Sequence, residues 1–169
     1  TIEFFPEEGK YHFDGHRKCG VVLSPRESLA HNDICPKCGK KLTIGVMHRV
    51  EELADRGPDD DIPVRTPYTN LIPLNEIIAE ALGKTPECQS VWGVYFRFIH
   101  EFGDEFRVLT EVPVSDLARI QPERVSQGID RMRQGRVKIV PGHDGFYGVV
   151  RLFDEEGGED DAGPQLSLF

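Results

Sequence analysis

The stretch from Lys10 to Arg49 begins KYHFDGHRKCG (10–20) and ends CPKCGKKLTIGVMHR (35–49). Three of the four cysteines of the chain, Cys19, Cys35 and Cys38, fall inside it. Cys35-Pro36-Lys37-Cys38-Gly39 has the spacing of a zinc knuckle, with glycine where the backbone must turn tightly under two sulfurs. His16-Arg17-Lys18-Cys19 supplies a matching half, with fifteen residues between Cys19 and Cys35. Four soft or borderline ligands, His16, Cys19, Cys35 and Cys38, are the set that one tetrahedral zinc ion requires. Among the histidines His16 has the right spacing and leads, ahead of His12 and then His31. Four protein ligands leave no open position, so the ion would be structural and not catalytic.

Around this stretch the expected structure is thin. Each knuckle half would be a turn between short strands, Leu42 to Val46 reads as a β-type run, and His48 to Arg56 has helical residues. Such a module buries too little apolar area to offset chain entropy, so the metal must supply much of its folding free energy. Residues 1–9 read as an entry segment and 10–56 as the zinc module. The segment 57–70, with three prolines and Asp59-Asp60-Asp61, reads as a linker.

From residue 71 helical periodicity takes over. Leu74, Ile77, Ile78, Ala81 and Leu82 recur at i, i+3, i+4, i+7 and i+8, with Pro73 at the start and Gly83 at the stop. Thr85-Pro86 opens a second helix with a stripe of Cys88, Val91, Trp92, Tyr95, Phe96, Ile99 and Phe102, ended by Gly103 and read as core. Cys88 is expected to be a core thiol. Asp104 caps a third helix, a short one runs from Ser115 to Ile120, and Pro122 to Gln134 turns Val125, Ile129 and Met132 inward. Val137 to Val140 and Gly148 to Phe153 then form a hairpin around Asp144-Gly145. The expected fold is α+β: a small zinc-ribbon-like module, then a mainly helical domain over 71–153 closed by a β-hairpin. Gly83-Lys84-Thr85 fails as a P-loop, because the first glycine would fall at Ile78. His48, His100 and His143 read as surface or packing residues.

At 169 residues the chain suffices for one domain or two small ones. No apolar run is long enough to span a bilayer and no signal-peptide pattern opens it, so a membrane partner is not expected. The C-x-x-C usage points to a reducing, cytoplasmic compartment. The start at Thr1 reads as a piece excised from something larger. The formal net charge of −9 is unevenly spread. Residues 10–49 hold eight Lys/Arg against three Asp/Glu, a local +5, whereas 154–161 (DEEGGEDD) carry six acidic groups. Arg17, Lys18, Lys37, Lys40 and Lys41 decorate the two knuckles, and zinc would gather them on one rim able to contact phosphates without reading sequence, with plain solvated surface charge as the alternative. Beyond the acidic leash 154–164, the tail Gln165-Leu166-Ser167-Leu168-Phe169 has the form of the pentapeptide that binds bacterial sliding clamps. Leu166, Leu168 and Phe169 would fill apolar pockets and Gln165 would add directional hydrogen bonds. A C-terminus folded back on its own domain is the alternative.

Taken together, KYHFDGHRKCG, CPKCGKKLTIGVMHRVEELADR, NLIPLNEIIAEALGK, HEFGDEF and VPGHDGFYGVV resemble the C-terminal half of endonuclease Q over roughly residues 8–153. That family repairs DNA by nicking beside hypoxanthine, uracil, xanthine or abasic sites, with its catalytic centre in an N-terminal, metal-binding PHP domain that has no counterpart here. Relatives also go under PHP-phosphoesterase or UvrD/Rep-helicase names, and the chain has no helicase motif. The resemblance implies His16, Cys19, Cys35 and Cys38 as zinc ligands. It also implies DNA contact by the Arg17–Lys18 rim and by His143 and Tyr147 of the PGHDGFYG hairpin. The expected role is a non-catalytic, DNA-binding and clamp-tethering portion of a repair endonuclease whose PHP domain lies upstream. The alternative is a zinc-ribbon module that contacts protein and not DNA.

Overall fold

Helix α3 (Leu74–Leu82) is the hub of the larger core, and its sequence explains why. Leu74, Ile77 and Ile78 are fully buried along one stripe, and burying each contributes about 1.5–3 kcal/mol. Gly83 adopts a left-handed φ of 61° to end the helix. Against α3 pack α4 (Gln89–Phe102) and α7 (Glu123–Arg133), with α5 (Glu105–Thr110) and the short α6 (Val114–Leu117) filling the remaining side. Val91, Phe98, Val108, Leu117, Val125 and Ile129 complete the fully buried apolar set of this core.

Polar groups tie these helices together. Glu105 accepts from the Leu74 N–H at 2.7 Å and from the Tyr95 hydroxyl at 3.0 Å, satisfying a helix start that Pro73 cannot cap with a side chain. Arg133 donates to the carbonyls of Val108, Leu109 and Val112 at 2.7–2.8 Å, closing the end of α5. As expected, Asp104 caps α5 through the Arg107 N–H.

The computed structural model describes residues 1–57, 60, 67–120 and 122–153. Much of the expected 57–70 linker and the whole 154–169 tail, including QLSLF, lie outside the described residues. Within them, three two-stranded sheets accompany the helices. β1 (Ile2–Glu3) pairs in parallel with β4 (Thr69–Asn70), β2 (Asp14–His16) pairs antiparallel with β3 (Val21–Leu23), and β5 (Lys138–Val140) pairs antiparallel with β6 (Val149–Arg151). The architecture is the α+β arrangement anticipated: a small cysteine/histidine module, a helical body and a closing hairpin.

Three local expectations are corrected. Ser24-Pro25-Arg26-Glu27 starts a helix, α1 (Pro25–Ala30), through a full capping box between Ser24 and Glu27. Helix α2 spans Val46–Leu53, so Val46 is helical and not part of a β run. In α4 the buried residues are Val91, Val94 and Phe98, while Trp92 and Phe96 are 38% and 61% exposed. The expected stripe straddled two adjacent faces, and the position of α3 selects one of them. Cys88 lies at the N-cap of α4, half-buried, with its sulfur 3.5 Å from the Thr85 hydroxyl.

Candidate metal centre and nucleic-acid interface

The cysteine/histidine module has a second, very small core of Val21, Cys35 and Leu42. Three buried residues cannot hold some forty residues in one conformation, so other constraints must do so. The first is a ligand cluster. His16 ends β2, a 3-10 turn Arg17–Cys19 follows, and Gly20 turns the chain into β3 with a φ of 59°. The second knuckle turns at Gly39 (φ 71°), closed by Gly39 N–H to Cys35 O and Cys35 N–H to Lys40 O.

These turns bring one ligand atom each of His16, Cys19, Cys35 and Cys38 within 4.8 Å of one another, with His16 Nδ1 3.3 Å from Cys38 Sγ. A tetrahedral ion with zinc–sulfur bonds of ~2.3 Å would draw the sulfurs to within roughly 4 Å of each other, a modest contraction. The donor set therefore fits a metal ion and is compatible with zinc. Neither His12 nor His31 belongs to the cluster.

Thiol acidity inside the cluster is uneven. The Cys19 thiol is pushed up to about 11, first by its hydrogen bond with Cys38 and then by burial. At Cys35 burial works against ionisation, but the N–H groups of Lys37 and Cys38, with the side chains of Cys38 and His16, outweigh it and lower the pKa to about 7. A dication seated among them would favour three thiolates together.

The second constraint is a buried Asp–His hydrogen-bonded pair that gave no sequence signal. Asp14, fully buried, accepts from the Gly45 N–H at 2.6 Å and bonds His48 Nδ1 at 2.7 Å. The Asp14 hydrogen bond raises the His48 pKa against its burial, with Asp33 and Glu52 adding in the same direction. This pair fastens α2 under β2. His48 is thus the packing residue expected, held by a buried carboxylate.

The third constraint comes from the far end of the chain. The loop between β5 and β6 folds back on residues 7–17. Asp144 and Gly145, both at positive φ (42° and 87°), make a tight reversal in which His143 and Phe146 exchange two backbone hydrogen bonds. Asp144 then accepts from the Arg17 N–H at 2.5 Å and from the Thr43 hydroxyl at 2.6 Å, and the Arg17 guanidinium lies 4.4 Å from the Phe146 ring centroid. Gly142 and Gly148 allow this approach: a Cβ at Gly142 would come 2.4 Å from Gly9 O and one at Gly148 2.0 Å from Glu7 O. The role of Asp144 was missed because its Asp-Gly setting announces a turn and not the contact that the turn delivers.

Of the residues proposed for DNA, Arg17, Lys18, Lys37, Lys40 and Lys41 are all exposed on the knuckles, and Lys37 Nζ also reaches Cys19 O at 2.8 Å. His143 is half-buried, its ring against Gly15 and Phe146, whereas Tyr147 is 66% exposed. Gln165, Leu166, Leu168 and Phe169 lie outside the described residues. No helix among the described residues is long and apolar enough to cross a membrane.

With this geometry in view, residues 73–136 match the family model described as the MJ0043 C-terminal domain. The uncharacterized protein MJ0043 of Methanocaldococcus jannaschii is 37% identical over 145 residues, which are 86% of this chain and 18% of that protein. The uncharacterized protein YqxK of Bacillus subtilis is 30% identical over 150 residues, 86% of this chain and 34% of that one. The crystal structure of the lesion-specific endonuclease PfuEndoQ from Pyrococcus furiosus superposes with a TM-score of 0.76 at 37% identity, covering 89% of this chain and 37% of that chain. Endonuclease Q in complex with a 27-mer duplex substrate, an abasic lesion at its active site, gives a TM-score of 0.73 at 35% identity, covering 96% and 41%. The chain thus spans well under half of each protein it matches. Sequence identity and fold together make it a relative of endonuclease Q, homologous to the 37–41% of the two solved proteins that it covers.

Proposed function

We propose that this chain is the DNA-binding, non-catalytic portion of a repair endonuclease that acts on deaminated or abasic DNA. The observation that carries the reading is the match, in sequence and fold over 96% of the chain, to a protein solved on an abasic duplex. In this reading residues 10–56 are a zinc-binding module and 71–153 the helical domain against which it is braced. One zinc ion on His16, Cys19, Cys35 and Cys38 supplies folding free energy and no chemistry, since all four positions are protein ligands. It holds Arg17, Lys18, Lys37, Lys40 and Lys41 as a rim that contacts phosphates, with Tyr147 and His143 on the adjoining loop. Strand cleavage belongs to a metal-dependent PHP domain upstream in the same polypeptide.

The zinc-loaded chain should bind duplex DNA with strong salt dependence and leave a hypoxanthine-containing duplex uncut. Nicking by homogeneous chain, or binding indifferent to salt, would overturn the assignment. The alternative, a module that contacts protein alone, predicts no duplex binding at low salt.

The sequence of the tail supports a further partner, a bacterial sliding clamp bound by Gln165, Leu166, Leu168 and Phe169 at the end of an acidic leash. Deleting 165–169 should abolish clamp capture in a pull-down while leaving the circular dichroism spectrum unchanged. Equal capture by the truncated chain would refute this tether.

A further inference from the structure

Two tyrosines beside the metal module present large aromatic surfaces to solvent. Tyr11 is 45% and Tyr147 66% exposed, and the Lys10 ammonium sits 5.7 Å from both ring centroids. Their backbones are not free to drift. Gly145 N–H bonds Lys10 O at 3.0 Å, Gly148 N–H bonds Glu8 O at 3.0 Å, Gly142 N–H bonds Glu7 O at 2.8 Å, and Phe13 N–H bonds Gly142 O at 2.9 Å. Four cross-links hold both tyrosines on one braced surface; Gly142 and Gly148 are too crowded to carry a side chain, and Gly145 turns at a φ of 87°. That surface continues into the basic rim, since Phe146, next to Tyr147, lies under the Arg17 guanidinium.

We infer that Tyr11 and Tyr147, with Lys10 beside both rings, form a stacking platform for an unpaired nucleobase. The inference rests on the DNA-binding reading above and adds the mode of contact. Every base has a π face, a tyrosine ring loses little rotamer freedom when it stacks, and a neighbouring cation suits both base and phosphate. A paired base is already stacked in the duplex and offers no such face, so the platform discriminates unpaired from paired DNA and not one base from another. The sequence that builds it is Lys10-Tyr11 on one segment and Tyr147 on the other, 136 positions away.

The test uses the zinc-loaded 169-residue chain and two fluorescein-labelled probes, a fully paired duplex and the same duplex with a short single-stranded gap. Stacking of ~1–3 kcal/mol per base corresponds to roughly 5- to 150-fold in affinity. The wild-type chain should prefer the gapped probe by about tenfold or more. The variant Tyr11→Leu/Tyr147→Leu should lose affinity for the gapped probe by about tenfold more than for the paired duplex, so that the preference disappears. Tyr11→Phe/Tyr147→Phe, which keeps both rings, should behave as wild type and serves as the comparison if the leucine variant proves unstable. Equal loss on both probes, an unchanged preference in the leucine variant, or no preference in the wild type would overturn the platform and leave the DNA reading standing. No binding of the wild type to either probe would remove the DNA reading itself.

Discussion

Asp144 sits 128 positions from His16 in sequence, yet it should control how tightly the metal is held. Its carboxylate accepts from the N–H of Arg17, the residue after His16, and from the Thr43 hydroxyl. Asp144→Ala removes both bonds. Charge-assisted hydrogen bonds contribute about 1.5–3 kcal/mol each when buried, and a half-exposed carboxylate belongs at or below the low end, so the pair is worth about 2 kcal/mol. Alanine at a φ of 42° adds roughly 1 kcal/mol of backbone strain. If, as proposed, a module with so small a core folds around zinc, that loss should appear as zinc affinity, about a hundredfold weaker. Asp144→Asn is the informative control. Its amide oxygen can face the Arg17 N–H while its NH2 donates to the Thr43 oxygen, so the geometry survives and only the charge is lost. Its effect should be under about tenfold. Competition against a chromophoric chelator reads both variants. An alanine variant that binds zinc within twofold of wild type would refute the claim that the hairpin braces the metal turn.

Other outcomes follow from the same geometry. Cys38→Ser should lose stoichiometric zinc and unfold the 10–56 module, while the α3–α4–α7 body keeps its helical dichroism; full loss of helix would show that the body depends on the metal. Phe98→Ala, at a fully buried site, should cost about 3–5 kcal/mol in urea denaturation; a loss under 1 kcal/mol would contradict the core assignment. His48, whose pKa the Asp14 bond raises above 6.5, contributes stability that is complete below about 6.5 and is lost as pH rises through its folded value. The stability gap between wild type and His48→Gln should therefore be widest in acid and narrow on the alkaline side, and a gap that widened with pH would invert the argument.

The parts of this structure readable from sequence are those whose signals are local. Leu74, Ile77 and Ile78, like Val125, Ile129 and Met132, mark single helical faces; Gly83 and Asp104 mark a stop and a cap; and His16, Cys19, Cys35 and Cys38 are a spacing pattern. Helix α4 was harder, because Val91, Trp92, Tyr95, Phe96, Phe98 and Phe102 are apolar around more than half its circumference. Only packing against α3 decides that Trp92 and Phe96 face outward. The Ser24–Glu27 capping box was a local signal and could have been found. The Asp14–His48 pair and the docking of Asp144 on Arg17 and Thr43 could not, since each joins residues that no periodicity relates. These long-range polar contacts fasten the cysteine/histidine module to α2 and to the closing hairpin.

In the function proposed above, the cysteine/histidine module presents a phosphate-binding rim to DNA. The most direct test is the affinity of the zinc-loaded chain for duplex across a salt series, alongside a variant with Lys37, Lys40 and Lys41 changed to alanine. Each phosphate contact contributes about −0.9 to the slope of log affinity against log salt. A steep negative slope is expected for the wild type and a shallower one, with weaker binding, for the variant. A chain that fails to bind duplex at low salt, or a variant whose slope matches wild type, would contradict it.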